Sequence, residues 1–160
     1  MAELGARITE DYSDDPPIFV NILKGGVIFL ADLIRATKIP IEIDFMEVSS
    51  YGDGTESTGV VRILEDLSQS IQDRHVLIVE DIIDTGHTLQ YIIENLSTRH
   101  PKSVKICTLL DRRGRREVEM ELDYVGFVVP DKFVIGYGLD LAQKYRNLPY
   151  IAVLEDEEIP

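Results

Sequence analysis

Short apolar runs rich in β-branched residues recur along the chain and alternate with segments whose leucines and isoleucines repeat at helical spacing. Residues 18–23 form such a run ahead of the helical pattern of residues 27–35, and residues 76–79 form another ahead of residues 88–99. A run that is apolar at successive positions is typical of a strand buried on both faces of a sheet. The alternation therefore predicts an α/β fold with a mostly parallel central sheet flanked by helices.

Two polar segments interrupt this alternation. Residues 49–59 contain three glycines among serines and threonines, and an arginine-rich segment follows Leu110. Both predict loops or hairpin turns, and the first is a candidate lid because long polar loops in compact domains are often functional. On spacing alone, the arginine-rich segment predicts a solvated turn around Gly114. The predicted strands are residues 18–23, 41–48, 76–79, 104–109, 125–129, 133–135 and 150–154.

Length, charge and cysteine content narrow the class of protein. A chain of 160 residues that is 44% hydrophobic predicts a single domain, residues 1–160, with one core. A net charge of −13 disfavours nucleic-acid binding, which depends on neutralising phosphates. No apolar run is long enough for a membrane helix and the first ten residues lack a signal sequence, so we expect no membrane association and a cytoplasmic location. The single cysteine, Cys107, lies in an apolar run, which predicts a buried structural thiol.

The segment most informative about chemistry is residues 76–89, VLIVEDIIDTGHTL. Glu80 and Asp81 follow an apolar strand, and residues 84–88 continue directly into a predicted helix. Free backbone N–H groups at a helix N-terminus, a glycine and two threonine hydroxyls can bind a terminal phosphate. The sequence therefore predicts an anion cradle beside two carboxylates, although each residue alone could have an ordinary role, with Thr85 or Thr88 capping the helix.

Two carboxylates would repel a phosphate unless they bind hydroxyls or a metal ion. A phosphorylated sugar with Mg²⁺ meets both requirements, because ribose hydroxyls can donate to the acids and Mg²⁺ prefers oxygen ligands. The pair formed by Glu80 and Asp81 therefore favours a sugar phosphate and a divalent cation as ligands.

Two acids followed by Asp-Thr-Gly-x-Thr after an apolar strand resemble the phosphoribosyl diphosphate motif of type I phosphoribosyltransferases. Residues 23–26, 49–52, 109–111 and 133–140, with Arg146 beyond them, are similar to the hypoxanthine/guanine branch of that family. The resemblance implies the type I phosphoribosyltransferase fold, with a small hood from the N-terminal segment and residues around 112–160 and a mobile lid loop at 49–59. It also implies purine salvage: Mg²⁺-dependent transfer of 5-phosphoribosyl from phosphoribosyl diphosphate to hypoxanthine or guanine, giving IMP or GMP and pyrophosphate.

The resemblance assigns the motif residues to the phosphoribosyl group and the reacting base. Asp84 matches the catalytic aspartate that contacts the purine and acts as general base or acid, whereas on its own it could be the N-cap of the next helix. His87 occupies a variable position, so we expect it to contribute only its backbone N–H. The residues implied to bind phosphoribosyl diphosphate are Glu80, Asp81, Asp84, Thr85, Gly86, His87 and Thr88.

The remaining matches are to the pyrophosphate, the metal, the purine and the lid. The resemblance also implies a non-proline cis peptide bond before Lys24. The pyrophosphate residues implied are Lys24, Gly25, Arg116 and Arg146, and the metal ligands are Glu80, Asp81 and Asp140. The purine residues are Arg112, Phe133 as the stacking aromatic, Val134 through its backbone, and Asp140, and the lid residues are Ser50 and Tyr51.

The sequence departs from the family pattern at two places. Arg112 stands where the family has a lysine that donates to the 6-oxo group of the base, and the two side chains are not interchangeable. Relatives also usually carry a further N-terminal helix before the segment matching residues 8–12. Arg112 leaves a xanthine-preferring enzyme open. An adenine enzyme, a binding module without catalysis and an RNA-binding regulator of the same fold are weaker alternatives, and family members are usually homodimers or homotetramers.

Overall fold

The computed structural model describes residues 1–50 and 61–154, with the exception of the Ser50 side chain. Helices and strands alternate along the chain as the sequence patterns predict, and a single turn of 3₁₀ helix covers Arg113–Arg115. The elements are α1 Ala2–Asp11, β1 Ile18–Leu23, α2 Val27–Ala36, β2 Glu42–Ser50, β3 Val61–Glu65, β4 His75–Ile83, α3 His87–Ser97, β5 Ser103–Asp111, β6 Tyr124–Val128, β7 Phe133–Ile135 and β8 Ala152–Leu154.

Six strands form the central sheet in the order β3-β2-β1-β4-β5-β6. All neighbouring strands are parallel except β3, which pairs antiparallel with β2 at one edge. Strands β7 and β8 form a separate antiparallel pair. The predicted α/β fold with a mostly parallel sheet is therefore confirmed.

Apolar side chains cover both faces of this sheet. On one face, Phe19 and Leu77 pack in a cluster with α1 and α2 residues such as Ile8 and Phe29. On the other face, Ile18 and Ile78 pack with the buried side of α3, residues Leu89, Ile92 and Leu96. Because successive side chains of a strand point to opposite faces, burial on both faces requires the continuous apolar runs seen in the sequence.

Two elements were not predicted from the sequence. Helix α1 buries Leu4 and Ile8, and Tyr12, directly after the helix, is also buried; this four-residue spacing is a helical signal carried by only three side chains among many charged ones. Strand β3 is short, and most of its residues are at least partly exposed, so it depends on its pairing with β2 rather than on an apolar run. Ser49 and Ser50 also belong to β2, so the predicted lid loop begins at least two residues too early. From residue 51 onward, that prediction lies outside the described residues.

Strand β4 is longer than the predicted strand at residues 76–79. It continues to Ile83 and stays paired with β5, with Glu80 opposite Thr108 and Ile83 opposite Asp111. Glu80 and Asp81 therefore lie within the strand, near its carboxyl end, rather than after it. Main-chain pairing with β5 extends the strand past its charged residues.

The prediction of a buried structural thiol at Cys107 is confirmed. The side chain lies on β5 in the cluster with α1 and α2, and burial raises the pKa of the thiol to about 12. Within residues 1–50 and 61–154, no helix has both the length and the apolar character needed to span a bilayer.

Strands β5 and β6 approach each other closely at Gly126, which leads to a prediction about the stability of the fold. A Cβ added at Gly126 would lie 2.5 Å from the carbonyl oxygen of Leu109, whereas one added at Gly114 would meet nothing closer than the Cβ of Asp131 at 3.8 Å. We expect Gly126→Ala to lower the free energy of unfolding by about 1–3 kcal/mol, because paired strands cannot easily move apart. Gly114→Ala is the matched control, with little change expected in urea unfolding. Equal effects of both substitutions would contradict this account.

Candidate active site

The predicted anion cradle lies at the start of α3. Gly86 is the N-cap residue, with φ +92°, a left-handed conformation that favours glycine, and no side chain in the described part of the chain caps the helix. The alternatives in which Asp84 is the N-cap, or Thr85 or Thr88 caps α3, are therefore wrong. A pocket of about 170 Å³ opens here, lined by residues that include Glu80, Asp84, Thr85, Gly86 and Thr88. Uncapped N–H groups beside this pocket can receive an anion.

Residues 116–118, directly after the 3₁₀ turn, bind the loop between β4 and α3 that forms the cradle. We call residues 116–118 the strap. The Nε–H of Arg116 donates to the carbonyl oxygen of Asp84 at 3.1 Å. The amides of Glu117 and Val118 both donate to the carbonyl oxygen of Thr85, at 3.0 and 3.1 Å. The strap therefore engages two consecutive carbonyl groups of the loop between β4 and α3.

His87 also contacts the strap. Its Nε2 lies 2.8 Å from the Oε2 of Glu117, and both side chains are exposed. The side chain thus has a partner on the protein, while its main chain begins α3 beside the pocket.

Arg112 and Asp84 form an ion pair beside the cradle. The Nη1 of Arg112 lies 2.9 Å from Oδ1 and 3.1 Å from Oδ2 of Asp84. Arg112 is only 5% exposed, and its Nε has no hydrogen-bond partner among the described residues. The prediction that the arginine-rich segment is a solvated turn around Gly114 is therefore wrong for Arg112, because its guanidinium is buried against the site.

Asp111, at the end of β5, binds two other arginines of this segment. One carboxylate oxygen is 2.7 Å from the Nη2 of Arg116, and the other is 2.7 Å from the Nε of Arg113. Asp111 is 2% exposed, and Arg116 is 15% exposed, whereas Arg113 is 69% exposed. The sequence analysis gave Asp111 no role, although an acid that ends an apolar strand before four arginines is itself a signal.

On β4, Asp81 is buried, and its neighbour Glu80 is half-buried with its Oε2 atom fully enclosed. Burial, and secondarily the charge of Asp81, raises the pKa of Glu80, whose Oε2 has no hydrogen-bond partner among the described residues. Burial also raises the pKa of Asp81 to about 6. Both carboxylates would therefore gain from a hydroxyl donor or a cation placed beside them.

The loop after β1 lies against these acids. The Leu23–Lys24 peptide bond is cis, as the family resemblance implied. A Cβ on Gly25 would lie 1.8 Å from the Oδ2 of Asp81, and a Cβ on Gly138 would lie 2.0 Å from the carbonyl oxygen of Gly25. Three segments distant in sequence, around residues 25, 81 and 138, therefore meet without room for further side chains.

Asp140 and Arg146 pair with each other beside this junction. The Nη2 of Arg146 lies 2.8 Å from the Oδ1 of Asp140, and its Nη1 donates to the carbonyl oxygen of Gly138 at 2.7 Å. The charges of both residues affect the pKa of Asp81, that of Arg146 lowering it and that of Asp140 raising it. Asp140 and Arg146 therefore lie close enough to Asp81 for their charges to act on it.

The predicted purine residues Phe133 and Val134 lie on the second sheet, and the predicted lid residues lie largely outside the described part of the chain. Phe133 and Val134 lie on β7, paired with Leu154 and Val153 of β8, and Val134 is buried in the core cluster with α1 and α2. Hydrogen bonding of the Val129 amide to the carbonyl oxygen of Asp111, at 3.0 Å, ties the chain leading to β7 to the arginine-rich segment. Tyr51 and the side chain of Ser50 lie outside the described part of the chain.

A divalent cation fits the acids of β4 by their chemistry. Within the described ranges, no group of three or more His, Cys, Asp or Glu side chains could hold a metal ion alone. Mg²⁺ is commonly bound by only one or two carboxylates, together with waters and substrate phosphates. The partnerless Oε2 of Glu80 and the buried carboxylate of Asp81 suit such a shared site.

A mostly parallel sheet, a helix N-terminus that no described side chain caps and two adjacent acids are together typical of α/β proteins that bind a phosphorylated sugar or nucleotide. The phosphoribosyl transferase domain family matches residues 1–142. The chain belongs to the phosphoribosyltransferase family, in its hypoxanthine/guanine branch, and the type I phosphoribosyltransferase fold is confirmed.

Relatives of this branch align with nearly the whole chain. Hypoxanthine-guanine phosphoribosyltransferase of Staphylococcus epidermidis is 56% identical over 155 residues, which are 97% of this chain and 87% of that protein. A crystal structure of a hypoxanthine phosphoribosyltransferase from Staphylococcus aureus is 52% identical, with a TM-score of 0.93 over 98% of this chain and 85% of that one.

A longer relative has the same region as part of a larger protein. The bifunctional protein TilS/HprT of Listeria monocytogenes is 52% identical over 157 residues, which are 98% of this chain. The chain therefore spans about a quarter of that relative's length, the matched region being 24% of it.

Proposed function

We propose that the chain is a purine salvage enzyme that transfers 5-phosphoribosyl from phosphoribosyl diphosphate to hypoxanthine or guanine, releasing pyrophosphate and IMP or GMP. The observation that carries this proposal is the position of Asp84, whose carboxylate stands beside the cradle pocket on one side and Arg112 on the other. A proton acceptor next to a phosphate site is what purine attack on a bound sugar phosphate requires. The relatives' names support the substrate class.

The cradle and the acids hold the phosphoribosyl group in this proposal. Residues 84–88 bind the 5′-phosphate through backbone N–H groups and the hydroxyls of Thr85 and Thr88, assisted by the dipole of α3. Glu80 and Asp81 accept hydrogen bonds from the ribose hydroxyls. Fixing the sugar at both positions orients its reacting carbon toward the base.

Asp84 acts on the base in this proposal. Its carboxylate accepts the proton of purine N7 as another ring nitrogen bonds to the ribose and pyrophosphate leaves. Arg112 donates to Oδ2 of Asp84 and lies within ion-pair distance of Oδ1, so binding of a base at this carboxylate must loosen the pair. Arg112 then donates to the 6-oxo group, Phe133 stacks on the base, and the backbone of Val134 reads its edge.

The pyrophosphate and metal residues complete the proposed site. Lys24, Gly25 and Arg146 face the pyrophosphate, and Glu80 and Asp81 hold Mg²⁺, which when bound supplies positive charge to the departing phosphates. Asp140 would serve a second Mg²⁺ only by giving up its contact with Arg146 or with the amide of Gln143. We also propose that Ser50 and Tyr51 act as the lid, that residues 1–160 act as one domain, and that the protein is a cytoplasmic homodimer or homotetramer.

Arg116 fits its expected role less well. Its guanidinium is mostly buried and donates to Asp111 and to the main chain of Asp84. We therefore propose that Arg116 supports the cradle, and that a direct pyrophosphate contact would require it to leave these partners.

A xanthine-preferring enzyme is the second candidate function, and Arg112 is the observation that favours it. The planar guanidinium presents several donors where the family has a single ammonium group. A base with additional oxo groups could use these donors.

The test of the proposed function is nucleotide formation from phosphoribosyl diphosphate and Mg²⁺ with hypoxanthine, guanine, xanthine, adenine and uracil in parallel. We expect IMP and GMP, with chelation of Mg²⁺ abolishing turnover. Preference for xanthine would select the second candidate. No product from any base, together with salt-dependent RNA binding, would instead indicate a regulator and overturn the proposal.

Asp84→Asn tests the proton acceptor. The amide keeps the size of the carboxylate but cannot accept the proton, so kcat should fall about 10²–10⁴-fold. Binding of phosphoribosyl diphosphate, measured by calorimetry, should survive because the cradle is unchanged. Asp131→Asn is the control, because Asp131 forms an exposed ion pair with Arg115 outside the cradle pocket. Unchanged turnover in Asp84→Asn would remove Asp84 from the mechanism.

Arg112→Lys tests the departure from the family pattern. Lysine holds the Asp84 carboxylate with a single compact ammonium, so the base should displace it more easily. We expect kcat/KM for hypoxanthine to rise about fivefold, equivalent to ~1 kcal/mol. Arg113→Lys, at an exposed position that pairs with Asp111, should leave it unchanged. A large loss in Arg112→Lys would show that the arginine itself is the donor to the base.

A further inference from the structure

The strap fixes the direction of two peptide groups in the cradle loop. The carbonyl oxygens of Asp84 and Thr85 both accept hydrogen bonds from the strap. Each carbonyl belongs to the same planar peptide as the next residue's N–H, and in a trans peptide the two point in opposite directions. The N–H groups of Thr85 and Gly86 therefore point away from the strap, and both residues line the cradle pocket.

Side-chain packing adds to this restraint. A Cβ on Gly86 would lie 2.8 Å from the Cε of Met120, 3.3 Å from the Cδ of Arg116 and 3.4 Å from the Cβ of Val118. Side chains of the strap and of Met120 therefore occupy the space into which a side chain at residue 86 would project. Rotation of the peptide before Gly86 would have to displace these groups.

The strap is itself held by one buried acid. Asp111 binds Arg116 through one carboxylate oxygen, and Arg116 passes the restraint to the carbonyl of Asp84. Asp111 ends β5, and β5 is paired with β4 as far as Ile83, the residue before Asp84. A buried carboxylate that lost its arginine would be strongly disfavoured, so this link is kept in one arrangement.

We propose that Asp111 is a positioning residue for phosphate binding: through Arg116, it aims the N–H groups of Thr85 and Gly86 at the 5′-phosphate. The inference deepens the proposed function and rests on it. Asp111 touches no ligand in this account. Its effect should therefore appear only for ligands that carry the 5′-phosphate.

The experiment compares the affinities of inosine 5′-monophosphate and inosine for the same protein, because the two ligands differ only in the 5′-phosphate. In Asp111→Asn, the amide offers Arg116 no charge, and the strap should loosen. We expect affinity for the monophosphate to fall about tenfold and affinity for inosine to stay unchanged. In turnover, the KM for phosphoribosyl diphosphate should rise while the KM for the base stays constant.

Arg113→Ala is the matched control. It removes the other ion pair of Asp111, at an exposed arginine whose side chain donates to Asp111 rather than to the cradle. The ratio of the two affinities should remain that of the unmodified chain. An equal loss in Arg113→Ala and Asp111→Asn would show that general damage around Asp111 is responsible, and it would overturn the inference.

A second variant guards against misfolding of Asp111→Asn. Arg116→Lys keeps the charge but cannot donate to both Asp111 and the carbonyl of Asp84 with the geometry of a guanidinium. Because neither inosine ligand contains pyrophosphate, a pyrophosphate contact of Arg116 would not affect this comparison. Arg116→Lys should also lose affinity for the monophosphate alone.

The possible failures are distinguishable. Unmodified protein that binds neither ligand and forms no nucleotide would overturn the proposed function and this inference with it. Unmodified protein that favours the monophosphate, with the same preference in folded Asp111→Asn or Arg116→Lys, would overturn only the positioning role of Asp111.

Discussion

Pairing of β4 with β1 on one side and β5 on the other is the constraint on which the rest of the site depends. Through it, the loop after β1 reaches Asp81, and the end of β5 reaches the loop that precedes α3. Parallel strands deliver their carboxyl ends to one edge of the sheet, so the loops that follow β1, β4 and β5 meet there. The continuous apolar runs allow helices to cover both faces of a parallel sheet. They therefore also determine that the site residues meet at one edge of it.

Positively charged side chains are concentrated near this edge of the sheet, although the chain as a whole is strongly negative. The protein carries a net charge of −13, yet the segment after β5 contains four arginines, two of which contact the cradle loop. Two of them, Arg112 and Arg116, have their side chains largely buried and are committed to acids or to main-chain oxygens. Their positive charge is held in place by Asp84 and Asp111, whereas Glu80 and Asp81 stay without a cationic partner of comparable geometry. The site therefore has two parts: a phosphate cradle supported by arginines, and a pair of acids suited to hydroxyls or a cation.

Arg112 shows how one substitution can change the resting arrangement of a site. A guanidinium can contact both oxygens of a carboxylate, and here Nη1 approaches both oxygens of Asp84. The proposed proton acceptor is thereby engaged before any base arrives. In the proposed mechanism, a base must replace the Arg112–Asp84 ion pair with its own contacts when it binds. The preference for one base over another therefore depends on which residue stands at position 112.

The sequence by itself determined the α/β class, the parallel sheet and the cradle at the start of α3, because apolar periodicity and glycine placement are local properties of the chain. It also indicated Glu80, Asp81 and Asp84 as site residues, since they lie within one continuous motif. Tertiary structure alone decided that β4 runs past its acids, that β3 pairs at the edge, and that Arg112 is buried and Arg116 largely so. It alone revealed the path from Asp111 to the cradle. These features depend on contacts between segments that are far apart in the chain, and burial of a charged side chain is set by the partners the fold brings to it.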